Sequence, residues 1–132
     1  MSIVPYCGLM MFSLLVKTID LPDSLVVLGY NVFNKGGLES IVIPEKVTEI
    51  GSAVLGNSGS PGQTFYDCES LSAITIPSSV IAIYESAFYK CLIQKTLYYG
   101  SEEQWSEIII GNYNYALTGS HIYFNYITTT DE

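Results

Sequence analysis

The segment LSAITIPSSVIAIY, residues 71–84, decides the fold, because the chain presents nearly the same pattern twice more. VKTIDLPDSLVVLG (residues 16–29) and LESIVIPEKVTEIG (residues 38–51) place a proline and the apolar residues around it at the same positions. One unit of this size cannot bury its own apolar face, so neighbouring units must stack into a solenoid. The repeat therefore predicts the architecture before any local motif is considered.

The three segments align on Pro22, Pro44 and Pro77, and apolar residues alternate before each proline. Such alternation predicts a strand, which the proline ends because it has no N–H to donate to a ladder. Further apolar residues stand three and six positions after each proline, a spacing that suits the opposite side of a coil. These are Leu25, Leu28, Val47, Ile50, Val80 and Ile83. We predict a leucine-rich-repeat solenoid: a short parallel sheet on one face, and irregular, short helical or strand segments on the other.

The pattern resembles the BspA-type leucine-rich repeat family, in which proline, glycine, Ala-Phe and cysteine recur in phase. Here the second half of the motif reads SAFYKC at residues 86–91 and TFYDC at residues 64–68. The resemblance covers about residues 16–126. It implies a protein-binding solenoid, since members of the family are mostly bacterial or protist surface and secreted proteins that bind other proteins.

Three parts are expected along the chain: a cap or half-repeat over residues 1–15, three repeats over 16–96, and a capping segment over 97–132. Pro44 and Pro77 lie 33 positions apart, against 22 for Pro22 and Pro44. The extra residues fall within 52–64, where glycine and serine predict a loop insertion. Insertions in solenoids often lie on the binding face, although a surface insertion without function is the alternative.

The closing segment predicts one helix and a last strand. Ser101 and Gln104 form a capping-box pattern, and Glu102 and Glu103 fall in the first turn, where the helix dipole favours them. Three apolar side chains on one helix face are expected to cover the open end of the sheet: Trp105, Ile108 and Ile109. Residues 121–126 then alternate as a strand. We expect it to face inward with Ile122 and Phe124 and outward with His121, Tyr123 and Asn125.

The charge balance excludes one class of function. Lys+Arg number 5 against 13 Asp+Glu, the formal net charge is −8, and arginine is absent. Direct nucleic-acid binding needs a basic footprint, so it is not expected. The negative charge favours a basic protein partner, or serves solubility alone.

Catalysis, metals and cofactors are not predicted. The chain has three cysteines (Cys7, Cys68 and Cys91) without a C-x-x-C pair, and a single histidine, His121. The cysteines are expected to pack as small buried apolar groups. No motif places a nucleophile or an orienting carboxylate beside His121, as a catalytic site would need.

The apolar run at residues 3–16 bears on location. It lacks a basic flank, contains Pro5 and is too short to span a bilayer as a helix. We therefore expect no membrane span and a cytoplasmic protein, with secretion or the cell surface as the alternative. Because such a run can pair with a second copy, the oligomeric state is either a monomer or a homodimer.

Two functions compete. The first is a non-enzymatic solenoid that binds a protein partner through its sheet face, its inserted loop and its surface tyrosines. Outward strand positions are expected to include Thr96 and, as the only large anchor, Tyr98. Candidate contact residues are Asp20, Val42, Thr75, Tyr98, Asn57, Ser58, Ser60, Glu102, Glu103 and Tyr123. Further tyrosines that either contact the partner or pack between coils are Tyr66, Tyr84, Tyr89, Tyr113 and Tyr115.

The second is a small acidic intracellular inhibitor of the phage anti-defence type, which blocks a basic nucleic-acid-binding site on its target. The net charge and the small size suggest it. A complex of that kind weakens steeply as salt rises.

Overall fold

The computed structural model describes residues 6–7, 16–29, 33, 35–52 and 64–126. In that part of the chain, short strands and two short helices follow one another. The strands are β1 (Tyr6–Cys7), β2 (Val27–Gly29), β3 (Ser40–Val42), β4 (Glu49–Ser52), β5 (Ala73–Ile76), β6 (Ala82–Ile83), β7 (Lys95–Tyr98), β8 (Ile109–Ile110) and β9 (His121–Tyr123). The helices are α1 (Glu102–Ser106), between β7 and β8, and α2 (Tyr115–Thr118), between β8 and β9.

The strands form two parallel sheets. The five-stranded sheet has the order β1-β2-β4-β6-β8, and the four-stranded sheet has the order β3-β5-β7-β9. From β2 onward the chain visits the two sheets in turn, so each coil adds one strand to each sheet. This confirms the predicted solenoid. The side that was expected to be irregular, helical or extended consists of the strands of the five-stranded sheet.

A turn after each repeat proline leads the chain toward the five-stranded sheet. The backbone N–H three residues later donates to the proline carbonyl, as in a β-turn. The donor–acceptor distances are 3.1 Å for Leu25 to Pro22, 3.2 Å for Val47 to Pro44 and 3.4 Å for Val80 to Pro77. All three donor residues are buried, so the turn also places an apolar side chain in the core.

A stack of phenylalanine rings runs through the core. Phe33, Phe65 and Phe88 are fully buried, with ring centroids 5.3 and 5.1 Å apart and interplanar angles of 15° and 9°. The N–H of Phe33 donates to the Thr64 carbonyl at 2.8 Å, and that of Phe65 donates to the Ala87 carbonyl at 2.7 Å. The same residue thus joins neighbouring coils through both its ring and its backbone.

Two residues after each stacked phenylalanine the backbone adopts positive φ, at Lys35 (59°), Asp67 (60°) and Lys90 (65°). Residues with a Cβ adopt this conformation at a cost of about 1–2 kcal/mol. Hydrogen bonds between coils hold it: the N–H of Lys35 donates to the Tyr66 carbonyl at 2.8 Å, and that of Asp67 to the Tyr89 carbonyl at 2.7 Å. The chain can therefore turn back sharply toward the four-stranded sheet.

Asn114 ends the phenylalanine ladder. Its side-chain oxygen accepts the N–H of Phe88 at 3.0 Å, where a backbone carbonyl of another coil serves the two earlier phenylalanines. Its side-chain nitrogen donates to the carbonyls of Tyr84 and Gly111, each at 3.0 Å. The residue is buried, so its amide satisfies groups that water does not reach.

The closing segment agrees with its prediction in part. The capping box of α1 is confirmed, since Ser101 and Gln104 exchange side-chain to backbone hydrogen bonds at 3.1 and 2.8 Å. Trp105 packs against the core and Ile108 is buried. The expectation for Ile109 is wrong: α1 ends at Ser106, so helical spacing no longer applies, and Ile109 lies in β8 with 75% of its surface exposed.

The role of Asn114 predicts the effect of replacing it. Asn114→Leu keeps the branched shape and the number of side-chain heavy atoms but leaves the Phe88 N–H buried without an acceptor, which we expect to lower the free energy of unfolding by about 2 kcal/mol. Urea denaturation measures that change, and amide exchange at Phe88 should become faster. Asn112→Leu, at an exposed neighbouring position, is the matched control and should change stability by less than about 0.5 kcal/mol. Equal stability of the two variants would contradict the capping role.

Candidate functional site

The outer face of the four-stranded sheet carries two rows of side chains, each with one residue per strand. One row is Ser40, Ala73, Lys95 and His121, and the other is Val42, Thr75, Leu97 and Tyr123. The row between them points into the core: Ile41, Ile74, Thr96 and Ile122. This face is small, with a polar first row and a second row of mostly apolar side chains.

The predicted outward positions of Thr96 and Tyr98 are wrong by one residue. Thr96 is fully buried and Tyr98 is 1% exposed, whereas Lys95 and Leu97 point outward. The position of Tyr99 aligns with the repeat prolines, and a register slip of one residue exchanges the two faces of a strand. Because position 99 holds tyrosine and not proline, the sequence does not show which residues of β7 face outward.

Tyr98 belongs to the core of the closing segment. Its ring meets Trp105 edge-on at 5.0 Å and Phe124 edge-on at 6.4 Å. Burial raises the pKa of its hydroxyl. Tyr98 therefore cannot be the anchor of the sheet face, and the exposed aromatic ring there is Tyr123, with His121 beside it at 4.4 Å between ring centroids.

The other candidate contact residues fall in separate places. Val42 is 59% exposed, but Thr75 in the same row is buried between its neighbours and offers little surface. Glu102 and Glu103 are exposed in the first turn of α1, at the opposite end of the solenoid from the first coil. The candidates Asn57, Ser58 and Ser60 lie outside the described residues, between Ser52 at the end of β4 and the buried Thr64.

A cleft of about 360 Å³ brings Asp20 and Val42 together. It lies between the first coil and the edge strand β3, and we call it the edge cleft. Its lining residues are Thr18, Ile19, Asp20, Leu21, Asp23, Ser40, Ile41, Val42 and Pro44. A second cleft of about 200 Å³ adjoins it at Asp23 and is lined also by Glu45 and Lys46. Carboxylates thus outnumber ammonium groups along both clefts.

Three tyrosines form a continuous strip, half-buried at Tyr66 and exposed at Tyr89 and Tyr113, which we call the tyrosine column. The ring centroids of Tyr66 and Tyr89 are 5.4 Å apart, and those of Tyr89 and Tyr113 are 6.0 Å apart. The Lys90 ammonium lies 5.9 Å from the centre of the Tyr89 ring. The sequence indicated these tyrosines one by one but not their continuity. The signal for two of the three was Phe-Tyr at residues 65–66 and 88–89, where a tyrosine follows a ladder phenylalanine.

The column continues into a third cleft of about 170 Å³ at the end of the solenoid. It is lined by Ile110, Gly111, Asn112, Tyr113, Asn114, Tyr115 and Thr118. Tyr115 is 74% exposed. The combination of exposed rings with amide and hydroxyl groups is typical of protein contact surfaces, where tyrosine supplies both apolar area and a hydrogen bond.

The described residues offer little for chemistry. In this part of the chain no hydrogen bond joins the His121 imidazole to a serine, cysteine or carboxylate, and no three metal-ligating side chains cluster. Cys68 and Cys91 are buried and unpaired. Their thiols donate to the carbonyls of Phe33 and Phe65, each at 2.9 Å. Each of the two thiols thus forms a hydrogen bond to the preceding coil.

Burial disfavours the thiolate form of both cysteines. It raises the pKa of Cys68 to about 11 and that of Cys91 to about 12. A thiolate is the nucleophile in cysteine chemistry, and these environments suppress it. The predicted role as small buried packing groups is confirmed for these two residues.

The raised thiol pKa values predict a loss of stability at high pH. Unfolded thiols ionise near their ordinary pKa, whereas the folded ones stay protonated, so the stabilisation is complete below that pKa and is lost as pH rises toward 11–12. Urea denaturation at pH 7.5 and at pH 10 measures the loss, about 1 kcal/mol at pH 10 for each thiol. Cys68→Ala and Cys91→Ala should each flatten the pH dependence. An unchanged pH dependence in both variants would contradict the assignment.

A family model and a solved structure place the chain among known proteins. The family model described as "BspA type Leucine rich repeat region" matches in six copies over residues 6–60 and 61–125. A search of the curated proteins returns no match.

A solved structure with a similar fold is that of a leucine-rich cell surface protein from Faecalibacterium prausnitzii A2-165, at 29% sequence identity and a TM-score of 0.51. The alignment covers 71% of this chain and 29% of that protein, so the chain corresponds to less than a third of its length. Within the described residues, neither helix is long and apolar enough to cross a bilayer. From its repeats, its two parallel sheets and the family match, this chain belongs to the BspA-type leucine-rich repeat family.

Proposed function

We propose that the protein is a non-enzymatic binding solenoid that recognises a protein partner through the tyrosine column. The observation that carries the proposal is the continuity of Tyr66, Tyr89 and Tyr113 across successive coils. Tyr89 is 37% and Tyr113 is 48% exposed, so both rings have surface left for a partner. The family is typical of protein–protein binding, which agrees with this role.

The scaffold supports such a role energetically. The carbonyls of Tyr66 and Tyr89, and that of Asn112 beside Tyr113, accept hydrogen bonds from other coils. The backbone of the column is therefore fixed in the absence of a partner. A tyrosine side chain has only two rotatable side-chain angles, and its immobilisation costs less than that of a long flexible side chain. Preorganised aromatic rings of this kind commonly dominate the energy of an interface.

The alternative of an acidic inhibitor requires carboxylates that act as one surface. Asp20 and Asp23 line the clefts at the first coil, whereas Glu102 and Glu103 lie on α1 at the other end. One exposed carboxylate, that of Glu39, lies 3.8 Å from the Lys17 ammonium and is partly neutralised. This distribution supports the binding solenoid over mimicry of a nucleic acid, and the salt dependence of the complex decides between them.

The location of the protein is inferred from its structural relative. The related solved protein is described as a cell surface protein, which favours the surface alternative over the cytoplasm for this chain as well. Cell fractionation with an antibody against the protein tests this placement.

The experiment is affinity capture of native partners on the wild-type protein and on a Tyr89→Ala/Tyr113→Ala variant, with mass spectrometry as the readout. We expect a partner whose affinity, measured afterwards with purified proteins, falls at least about tenfold in the variant, because loss of hot-spot aromatic rings costs this much or more. Both rings are exposed, so the variant should fold.

The matched control is Ile109→Ala, which removes an exposed apolar side chain from β8 and should leave the affinity unchanged. Equal affinity of all three proteins for every captured partner would refute the column as the site. A single basic nucleic-acid-binding partner that is released at high salt, whatever the tyrosine variant, would establish the inhibitor instead.

A further inference from the structure

In the part of the chain that the structure describes, no strand pairs with β3 on the side of the first coil. Among the described residues, one backbone hydrogen bond joins the first coil to this strand region, from the Glu39 N–H to the Lys17 carbonyl at 2.9 Å. Residues 18–21 belong to no strand, although they align with β3 in the repeat. Instead of pairing, the two segments diverge and enclose the edge cleft.

The direction of the free backbone groups follows from the bonds on the other side of β3. The N–H of Ile43 donates to the Thr75 carbonyl at 2.9 Å, and in this register the backbone groups of Ile41 and Ile43 face β5. In a strand the N–H and C=O of one residue point to the same edge, and successive residues alternate between the two edges. The N–H and C=O groups of Ser40 and Val42 therefore point into the edge cleft, where they form the template to which an extended chain can add.

The side chains around this template indicate which kind of segment could bind there. Val42 and Ser40 project from the outer face beside the edge, and Val42 offers exposed apolar surface. The carboxylates of Asp20 and Asp23 line the opposite wall, and Glu45 follows in the adjoining cleft. An extended segment that alternates apolar with basic residues matches both the period of the strand and the charge of the wall.

We propose that β3 is a docking edge for a short, extended, lysine-rich or arginine-rich segment of a partner protein, which adds as a strand in the edge cleft. The site is distinct from the tyrosine column, which runs along the turns that lead into the four-stranded sheet. A second copy of this chain is a poorer occupant, because two molecules of net charge −8 would bring their acidic clefts together.

Fluorescence anisotropy with a labelled short peptide of alternating valine and lysine tests the proposal. The wild-type protein should bind it, and should bind a valine–glutamate peptide of the same length at least about tenfold more weakly. Asp20→Asn/Asp23→Asn should weaken the lysine peptide about fivefold, whereas the exposed pair Glu69→Gln/Glu85→Gln makes the same charge change outside the cleft and should not.

Backbone pairing is tested separately from charge. Val42→Pro removes an N–H that faces the cleft rather than β5, which an edge strand tolerates, and should abolish binding while the circular dichroism spectrum is kept. A lysine peptide with N-methylated alternate amides provides the same test without altering the protein.

Equal binding of the methylated peptide, equal binding of the glutamate peptide, or no binding at all would each overturn the proposal. So would a homodimer in sedimentation that Val42→Pro dissociates, since a second copy would then occupy the edge. Tyr89→Ala/Tyr113→Ala should bind the lysine peptide like wild type, so failure of this site and failure of the tyrosine column are distinguishable.

Discussion

The contact between consecutive coils at the phenylalanine ladder is the interaction on which the rest of this molecule depends. Each strand has two to four residues, too few to persist alone. The stacked rings of Phe33, Phe65 and Phe88 set the separation of the coils at a value close to the spacing of paired strands. Ring stacking, backbone bonds and the two buried thiols all act at this one place, so the two parallel sheets keep a common register.

That register determines how side chains are arranged on the surface. Because every coil repeats the position of its neighbour, a side chain type that recurs in the sequence becomes a line on the surface. The two Phe-Tyr pairs place one ring in the core and the next at the surface, so the core ladder fixes the positions of two of the three tyrosines in the column. Where a coil departs from register, as residues 18–21 do beside β3, a cleft appears in place of a row. Both candidate surfaces thus arise from the repeat, one from its regularity and one from its interruption.

The sequence predicted most of the architecture, because each repeat carries a proline, alternating apolar residues before it and regularly spaced apolar residues after it. The errors lie where those marks are missing. The sequence predicts Tyr98 on the outer face because Tyr99 stands where a proline would fix the phase of the strand, whereas the structure buries it. The sequence also predicts Ile109 in the helix, which ends at Ser106. The role of Asn114 gave no sequence signal, since a buried amide that substitutes for a carbonyl depends on the fold around it. Of the contact residues, Asp20 and Val42 meet in one cleft, which only the divergence of the first coil reveals.

The substitution of a side-chain amide for a backbone carbonyl at Asn114 has a consequence for how such proteins vary in length. The last ladder position is completed by one side chain of the closing segment, and its hydrogen bonds do not depend on the number of coils before it. Duplication or deletion of a whole middle repeat would leave the terminator and its hydrogen bonds intact. A solenoid closed in this way can lengthen or shorten by unequal exchange between its repeats without a new ending.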